Sequence, residues 1–351
     1  IKRNGKSECK VFRFYCTGGY SLRKDLWLMS IRVYTNGIIN DNTVGYSNFL
    51  QILSKHLVKH DIYLSRGYDD NCDVYILNNL DDGLYSINSK CKYILRMDGF
   101  GHDFNAVDKA KFLFKGVNHI IYQSKFAKEF SDRLIGKYDY KSTVIYNGVE
   151  ILDLNIPIHN SNPVKIGSII RVWIKERAEN FINFLIALRH FQQNYKIKVQ
   201  YYIIGDTSKW QFKDIVIGHF SDLDIIFTGL LPRNEVNKIR EELDFVVHLP
   251  KYGWCDNSVI ETLNHSLPIL YLNGNATQEL VENAGVGIED INKIQEIVDK
   301  LKILYDNILE YNSNAFNRRY LFDINKIAEQ YAKVIKSVLY EKTYISNILV
   351  L

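Results

Sequence analysis

Short apolar runs alternate with amphipathic stretches along the chain. The runs are rich in Ile, Val and Tyr, which is typical of strands buried on both faces. They lie at residues 10–16, 73–79, 92–98, 119–124 and 142–148, and again at 164–170, 199–205, 223–229, 244–250 and 268–272. Apolar residues at three- and four-residue spacing predict helices between them, at 47–60, 124–135, 177–194, 234–242, 258–265, 276–284, 290–309 and 318–340. This alternation predicts the α/β class, with parallel sheets covered by helices.

The segment 150–163 interrupts the alternation. It contains two prolines and a polar cluster without helical or strand periodicity, as loops and linkers do. We therefore predict two Rossmann-like domains, an N-terminal one over 1–152 and a C-terminal one over 160–317.

Composition and charge narrow the partners. Hydrophobic residues make up 46% and charged residues 24% of the 351 residues, which is typical of a globular protein with real cores. The formal net charge is only +4, and no dense Lys/Arg run with interleaved aromatic residues is present, so we predict no nucleic-acid partner. A mildly basic cleft for a small anion remains compatible with this charge.

The five cysteines are scattered, without C-x-x-C or zinc-ligand spacing, so we expect thiols in a reducing compartment. No apolar run approaches the roughly 18 residues that span a bilayer. We expect a cytoplasmic protein, with peripheral membrane contact left open and the oligomeric state undetermined.

Ligands in open α/β sheets bind beyond the carboxyl ends of the strands, so polar residues there are candidates. The loop "RMDGFGHD" (96–103) follows a predicted strand and carries Arg96, Asp98, His102 and Asp103. Such groups suit acid–base chemistry or recognition of sugar hydroxyls. Alternatively, Asp98 only makes a turn and pairs with Arg96.

A second strand end is basic. "IIRVWIKERAEN" (169–180) places Arg171, Lys175 and Arg177 before a helix, where cations and helix N–H groups together suit a diphosphate. A solvated helix start is the alternative, although cations at a helix N-terminus oppose the macrodipole.

A third strand end reads "WCDNSVIETLNHSLPIL" (254–270). Asp256, Asn257 or Ser258 could be the N-cap of the helix. If Ser258 caps it, Glu261 completes a capping box; if Asp256 or Asn257 does, Glu261 is available to a ligand. Local physics does not decide between these alternatives.

The same stretch, extended to residue 288, resembles the signature of glycosyltransferase family 4 and its GT-B relatives. The resemblance also includes "IIYQSKF" (120–126), "VIYNGVE" (144–150), the cations at 171–177, "IIGD" (203–206) and "FTGLLPRNEV" (227–236). These segments follow one another in the family's order over roughly residues 90–290.

The resemblance implies a GT-B fold, in which two Rossmann-like domains face a central cleft. It implies transfer of a sugar from a UDP- or GDP-sugar to a hydroxyl of a glycan or other acceptor, with retention of configuration and without a further cofactor. No metal is expected, because no Asp-x-Asp cluster appears where a cation bridging the diphosphate would need it. The C-terminal segment, 318–351, would cross back to the N-terminal domain.

The resemblance also assigns roles. Arg171 with Lys175 or Arg177 would bind the diphosphate, Glu261 the ribose, and residues 256–258 the donor through backbone N–H groups. Asp98 would lie beside the transferred sugar.

One departure concerns the family's paired glutamates, because Gly253 stands where the first Glu is expected. This departure keeps two alternatives open, a non-catalytic protein that binds a sugar nucleotide or a partner, and a GT-B nucleotide-sugar epimerase.

Overall fold

A computed structural model of the chain describes most of its residues, namely 30–35, 45–67, 72–78, 91–97, 99, 106–136, 140–154, 156, 161–172 and 174–340. Within them, twelve strands and eleven α-helices alternate. They form two parallel six-stranded sheets with flanking helices, so the predicted α/β class is confirmed.

The N-terminal sheet has the strand order β2-β1-β3-β4-β5-β6. Its strands are β1 (Ile31–Thr35), β2 (Ile62–Arg66), β3 (Val74–Leu77), β4 (Lys92–Met97), β5 (His119–Tyr122) and β6 (Ser142–Val144). The helices of this half are α1 (Gly45–Leu57), α2 (Ala106–Gly116) and α3 (Lys125–Ile135). The four residues of β3 and of β5 are all buried, as expected for strands covered on both faces.

The C-terminal sheet has the strand order β12-β11-β10-β7-β8-β9. Its strands are β7 (Val164–Arg171), β8 (Val199–Asp206), β9 (Asp224–Gly229), β10 (Phe245–His248), β11 (Ile269–Leu272) and β12 (Gly285–Ile288). Its helices are α4 (Lys175–Tyr195), α5 (Phe212–His219), α6 (Arg233–Arg240), α7 (Asn257–Asn264), α8 (Ala276–Val281), α9 (Ile294–Asp306) and α10 (Ile308–Arg318). The order reverses between β7 and β10, which creates the crevice where doubly wound sheets bind ligands.

The last described helix, α11 (Ile324–Tyr340), packs on the N-terminal sheet. Its apolar face, including Ile327 and Tyr331, belongs to the same buried cluster as residues of β1 and α1. The chain enters this helix beside Val149, whose N–H donates to Phe322 O at 2.9 Å and whose carbonyl accepts from Ile324 N at 3.0 Å. Helix α11 is therefore part of the N-terminal core.

Most predicted elements are present, with shifted ends. The pattern did not predict the strands β1, β2 and β12, nor the helices α2, α5 and the separate helix α10. The strand predicted at 10–16 lies outside the described residues. The domain boundaries at 1–152, 160–317 and 318–351 stay a prediction. Within the described residues, we found no helix with the length and apolar character that a membrane crossing requires.

Candidate functional site

A cavity of about 480 Å³ lies at the carboxyl ends of β7 and β10. Arg171 and His248, the last residues of these two strands, both line it. Gln123 and Asn147 line it from the N-terminal half. The cavity therefore occupies the crevice predicted by the strand order, and both halves of the chain contribute to its wall.

The basic side of the cavity is built by the end of β7 and the start of α4. Arg171 and Arg177 both line the cavity. They are held together because Arg177 Nη1 donates to the carbonyl oxygen of Arg171 at 3.1 Å. Lys175, in contrast, forms an exposed ion pair with Glu179 at 3.1 Å. The structure thus brings two of the three predicted cations to the cavity.

The start of α7 forms another wall, through Asp256, Asn257 and Ser258. Asp256 occupies the N-cap position, but its side chain makes no capping hydrogen bond. Its Oδ2 atom lies 2.9 Å from Nε2 of His248 instead. The first N–H groups of an α-helix have no intrahelical acceptor, and here these residues face the cavity.

The backbone of Gly253 lies directly beside this carboxylate. A Cβ atom added at Gly253 would come within 2.6 Å of Asp256 Oδ2. A side chain at position 253 and the observed place of Asp256 therefore exclude one another. The carboxylate that lies beside Gly253 in space is thus that of Asp256.

Glu261 is held by two arginines of α6. Its Oε2 accepts from Nη2 of Arg240 at 2.8 Å, and its Oε1 lies 3.1 Å from Nη2 of Arg233. Because α7 begins at Asn257 with Asp256 as N-cap, Ser258 and Glu261 do not form the capping box that was one alternative. Glu261 lines the cavity as a fixed carboxylate.

The two arginines that hold Glu261 differ in solvent exposure. The side chain of Arg240 is 1% exposed, whereas that of Arg233 is 44% exposed. Burial lowers the pKa of the Arg240 guanidinium, and the carboxylate of Glu261 opposes that shift.

Burial, together with the charges of Arg240 and Arg233, also lowers the pKa of His265 to about 4. His265 is therefore neutral near pH 7.

A series of side-chain hydrogen bonds runs from the N-terminal half to the wall of the cavity. Arg96, fully buried in β4, donates from Nη2 to Asn147 Oδ1 at 2.6 Å. The side-chain nitrogen of Asn147, Nδ2, then donates to Asn257 Oδ1 at 2.8 Å and to the backbone carbonyl oxygen of Cys255 at 3.2 Å. Arg96, expected in a turn-rich loop, thus belongs to a strand and supports the cavity wall. Asp98, His102 and Asp103 lie outside the described residues.

Two further contacts join the halves beside the cavity. Trp254 packs on Phe126 and Phe130, with ring centroids 5.8 and 5.0 Å away. Glu279 of α8 accepts hydrogen bonds from the backbone N–H groups of Lys125 and Phe126, both at 2.7 Å. A carboxylate at a helix N-terminus is favoured by the exposed N–H groups and the macrodipole. Glu279 therefore caps α3 from the opposite half of the chain.

Sequence reasoning missed several residues of this site, namely Arg233, Arg240, His248 and Asn147. Their participation depends on contacts across elements rather than on a local pattern. The described residues contain no group of three or more His, Cys, Asp or Glu arranged to hold a metal ion.

No family model and no curated protein matches the chain by sequence. Solved structures do match its fold. Sucrose-phosphate synthase from Thermosynechococcus elongatus superposes with a TM-score of 0.71 at 10% identity, over 88% of this chain and 99% of that one. HepE of Anabaena, solved in complex with UDP, gives 0.67 at 15% identity over 88% and 100%. A glycosyltransferase from Rickettsia africae gives 0.65 at 14% identity over 90% and 100%. The chain is similar to these proteins in fold, and the predicted GT-B architecture is confirmed.

Proposed function

We propose that this protein is a glycosyltransferase that moves a sugar from a nucleotide-diphosphate sugar to a hydroxyl group of a glycan or other acceptor. The observation that carries the proposal is the charge of the cavity between the two sheets. Four arginines and two carboxylates line it, which leaves two positive charges in excess. A diphosphate ester brings two negative charges, so donor and cavity are complementary.

The donor's diphosphate lies, in this proposal, between Arg171, Arg177 and the start of α7. Both guanidinium groups line the cavity opposite residues 256–258. Guanidinium groups and helix N–H groups stabilise the charge that develops on the departing diphosphate when the sugar is transferred. Arg171 acts in this way on the reacting group, so we assign it a catalytic role.

Glu261 is proposed to accept hydrogen bonds from the ribose hydroxyls. Two arginines fix its orientation and already occupy one acceptor position on each oxygen. A carboxylate offers about four lone-pair sites, so two stay available to the hydroxyls. The ion pairs thus position Glu261 rather than remove it from the site.

Asp256 is proposed to supply the carboxylate that contacts the transferred sugar. It is 35% exposed at the cavity wall and is held by His248. The absence of a side chain at Gly253 makes room for it. In this proposal the carboxylate of Asp256 takes the role of the glutamate that is expected at position 253. The presence of a carboxylate at this wall of the cavity supports a catalytic protein over the non-catalytic alternative.

Several finer features belong to the same proposal. Membership in family 4, retention of configuration and a role of Asp98 beside the transferred sugar are supported by the sequence resemblance. Catalysis without a metal is supported by the excess positive charge, which can neutralise a diphosphate. A uridine donor is the first choice because HepE was solved with UDP, and GDP-sugars are the alternative.

A donor panel with nucleotide detection tests the proposal. We expect one UDP- or GDP-sugar to raise the melting temperature and to release its nucleoside diphosphate only when a hydroxyl acceptor is added. Asp256→Asn should lower this release by about 10²-fold or more while the nucleotide still binds, because the amide no longer stabilises the positive charge that develops on the sugar during transfer.

Other outcomes would contradict specific parts of the proposal. Binding without release for any acceptor would favour the non-catalytic alternative, whereas a changed sugar on an intact donor would favour the epimerase. If no nucleotide bound, the assignment of the cavity would be wrong.

A further inference from the structure

Cys72 and Cys91 lie side by side at the amino-terminal ends of two central strands of the N-terminal sheet. Cys72 precedes β3 by two residues and Cys91 directly precedes β4. These strands are parallel neighbours in which Val74 pairs with Lys92. The register therefore brings the two cysteines together where the strands begin, away from their carboxyl ends and from the cavity.

The side chains are in direct contact. The two Sγ atoms are 2.8 Å apart, and Cys91 Sγ lies 3.3 Å from the carbonyl oxygen of Cys72. Both side chains are buried, in a cluster with Tyr75, Tyr93 and other apolar residues. The structure holds both cysteines as thiols.

We propose that Cys72 and Cys91 are a redox pair that closes to an intramolecular disulfide in the presence of a low-molecular-weight disulfide such as glutathione disulfide. The thiolate of one cysteine attacks the reagent, forms a mixed disulfide and releases one thiol. The second cysteine then attacks the protein-bound sulfur and releases the other thiol. Two protein thiols are oxidised, and one reagent disulfide is reduced to two thiols.

The bond would close the chain between residues 72 and 91, which connects β3 to β4. Closing a loop of this length removes entropy from the unfolded chain and should lower the unfolding equilibrium constant of this half by roughly two orders of magnitude. The cavity lies at the opposite ends of the strands, so nucleotide affinity should not change. The pair therefore tunes stability and leaves the proposed activity untouched.

The experiment uses the full chain with Cys9→Ser and Cys16→Ser, because these two cysteines lie outside the described residues. The protein is incubated with glutathione disulfide, alkylated with N-ethylmaleimide and analysed by intact mass and peptide mapping. We expect a mass two hydrogens below that of the reduced chain before alkylation, no N-ethylmaleimide on Cys72 or Cys91, and one cross-linked peptide that contains residues 72 and 91. Oxidised protein should unfold at higher urea concentration than reduced protein.

Matched variants and an internal control complete the design. Cys72→Ser and Cys91→Ser should each abolish the cross-link and the gain in stability. Burial raises the pKa of Cys255 to about 12, so this thiol should stay unoxidised in the native protein. Refolding from denaturant in glutathione buffer removes any barrier of access. If the refolded chain carries glutathione on Cys72 or Cys91, or only thiols at these two positions, the proposal is overturned.

Discussion

Removing the carboxylate of Glu261 should destabilise the protein by leaving a buried arginine without its charged partner. In Glu261→Ala, the Arg240 guanidinium, 1% exposed, keeps only Asn237 Oδ1, at 2.7 Å from Nη1. Breaking a buried pair costs about 3–5 kcal/mol. The side chain of Glu261 is 18% exposed, so water offsets part of the loss and we expect about 3 kcal/mol.

The structure supplies a matched control in the other half of the same cluster. Arg233→Ala removes the pair with the 44% exposed arginine, and an exposed pair contributes less than about 1 kcal/mol. The free energy of unfolding is measured by urea titration, monitored by tryptophan fluorescence, with the slope compared between variants.

A third variant separates the stranded charge from other effects of the substitution. Arg240→Met in the Glu261→Ala background removes the unpaired guanidinium and fills its space with an apolar chain. It should therefore recover most of the lost stability. Equal losses for Glu261→Ala and Arg233→Ala, or no recovery with Met, would refute the reasoning that the buried ion pair fixes α6 on α7.

Three further predictions follow from single contacts. Arg171→Ala should weaken UDP binding, measured by calorimetry, by about 1.5–3 kcal/mol, the range for hydrogen bonds to charged groups. The control Lys175→Ala removes an exposed side chain and should change the binding free energy by less than about 0.5 kcal/mol. Equal losses in the two variants would contradict the assignment of Arg171 to the diphosphate. The pKa of His265 is lowered to about 4 in the folded protein, so between this pH and about 6.5 the unfolded chain binds a proton that the folded chain does not. The free energy of unfolding should therefore fall by up to about 3 kcal/mol as the pH drops from about 6.5 to 4. His265→Gln should flatten this part of the profile, and a parallel decline in wild type and variant would count against it. Glu279→Gln should loosen the contact between the halves and speed proteolysis, while Glu282→Gln, whose ion pair lies within one half, should not; equal rates would remove Glu279 from that role.

The sheets were largely predictable because most of their strands are continuous apolar runs. The missed strands lack that signal. β1 and β2 alternate buried and exposed residues, and β12 consists of "GVGI", with two glycines among four residues. β2 and β12 are also edge strands, where one side needs no partner and a weak apolar pattern suffices.

The cavity was partly predictable because strand ends mark it. Arg171, Arg177 and residues 256–258 follow this rule and line the cavity. Arg240 does not, since it belongs to a strongly polar helix that reads as a solvated surface, and its burial is imposed by α7. The pairing of Asp256 with His248 also depends on the fold, because two residues eight positions apart meet only after β10 and α7 are packed together.

The segment from Trp254 to Glu261 connects the cavity with the contact between the halves. Trp254 packs on α3, and Asn257 accepts a hydrogen bond from Asn147 of the N-terminal half. Asp256 and Glu261 of the same segment line the cavity. In the proposed complex, a nucleotide that moved Asn257 would have to break or replace its hydrogen bond to Asn147. If the cavity binds a nucleotide as proposed, its affinity should therefore be coupled, through Asn257, to the contact between the two halves.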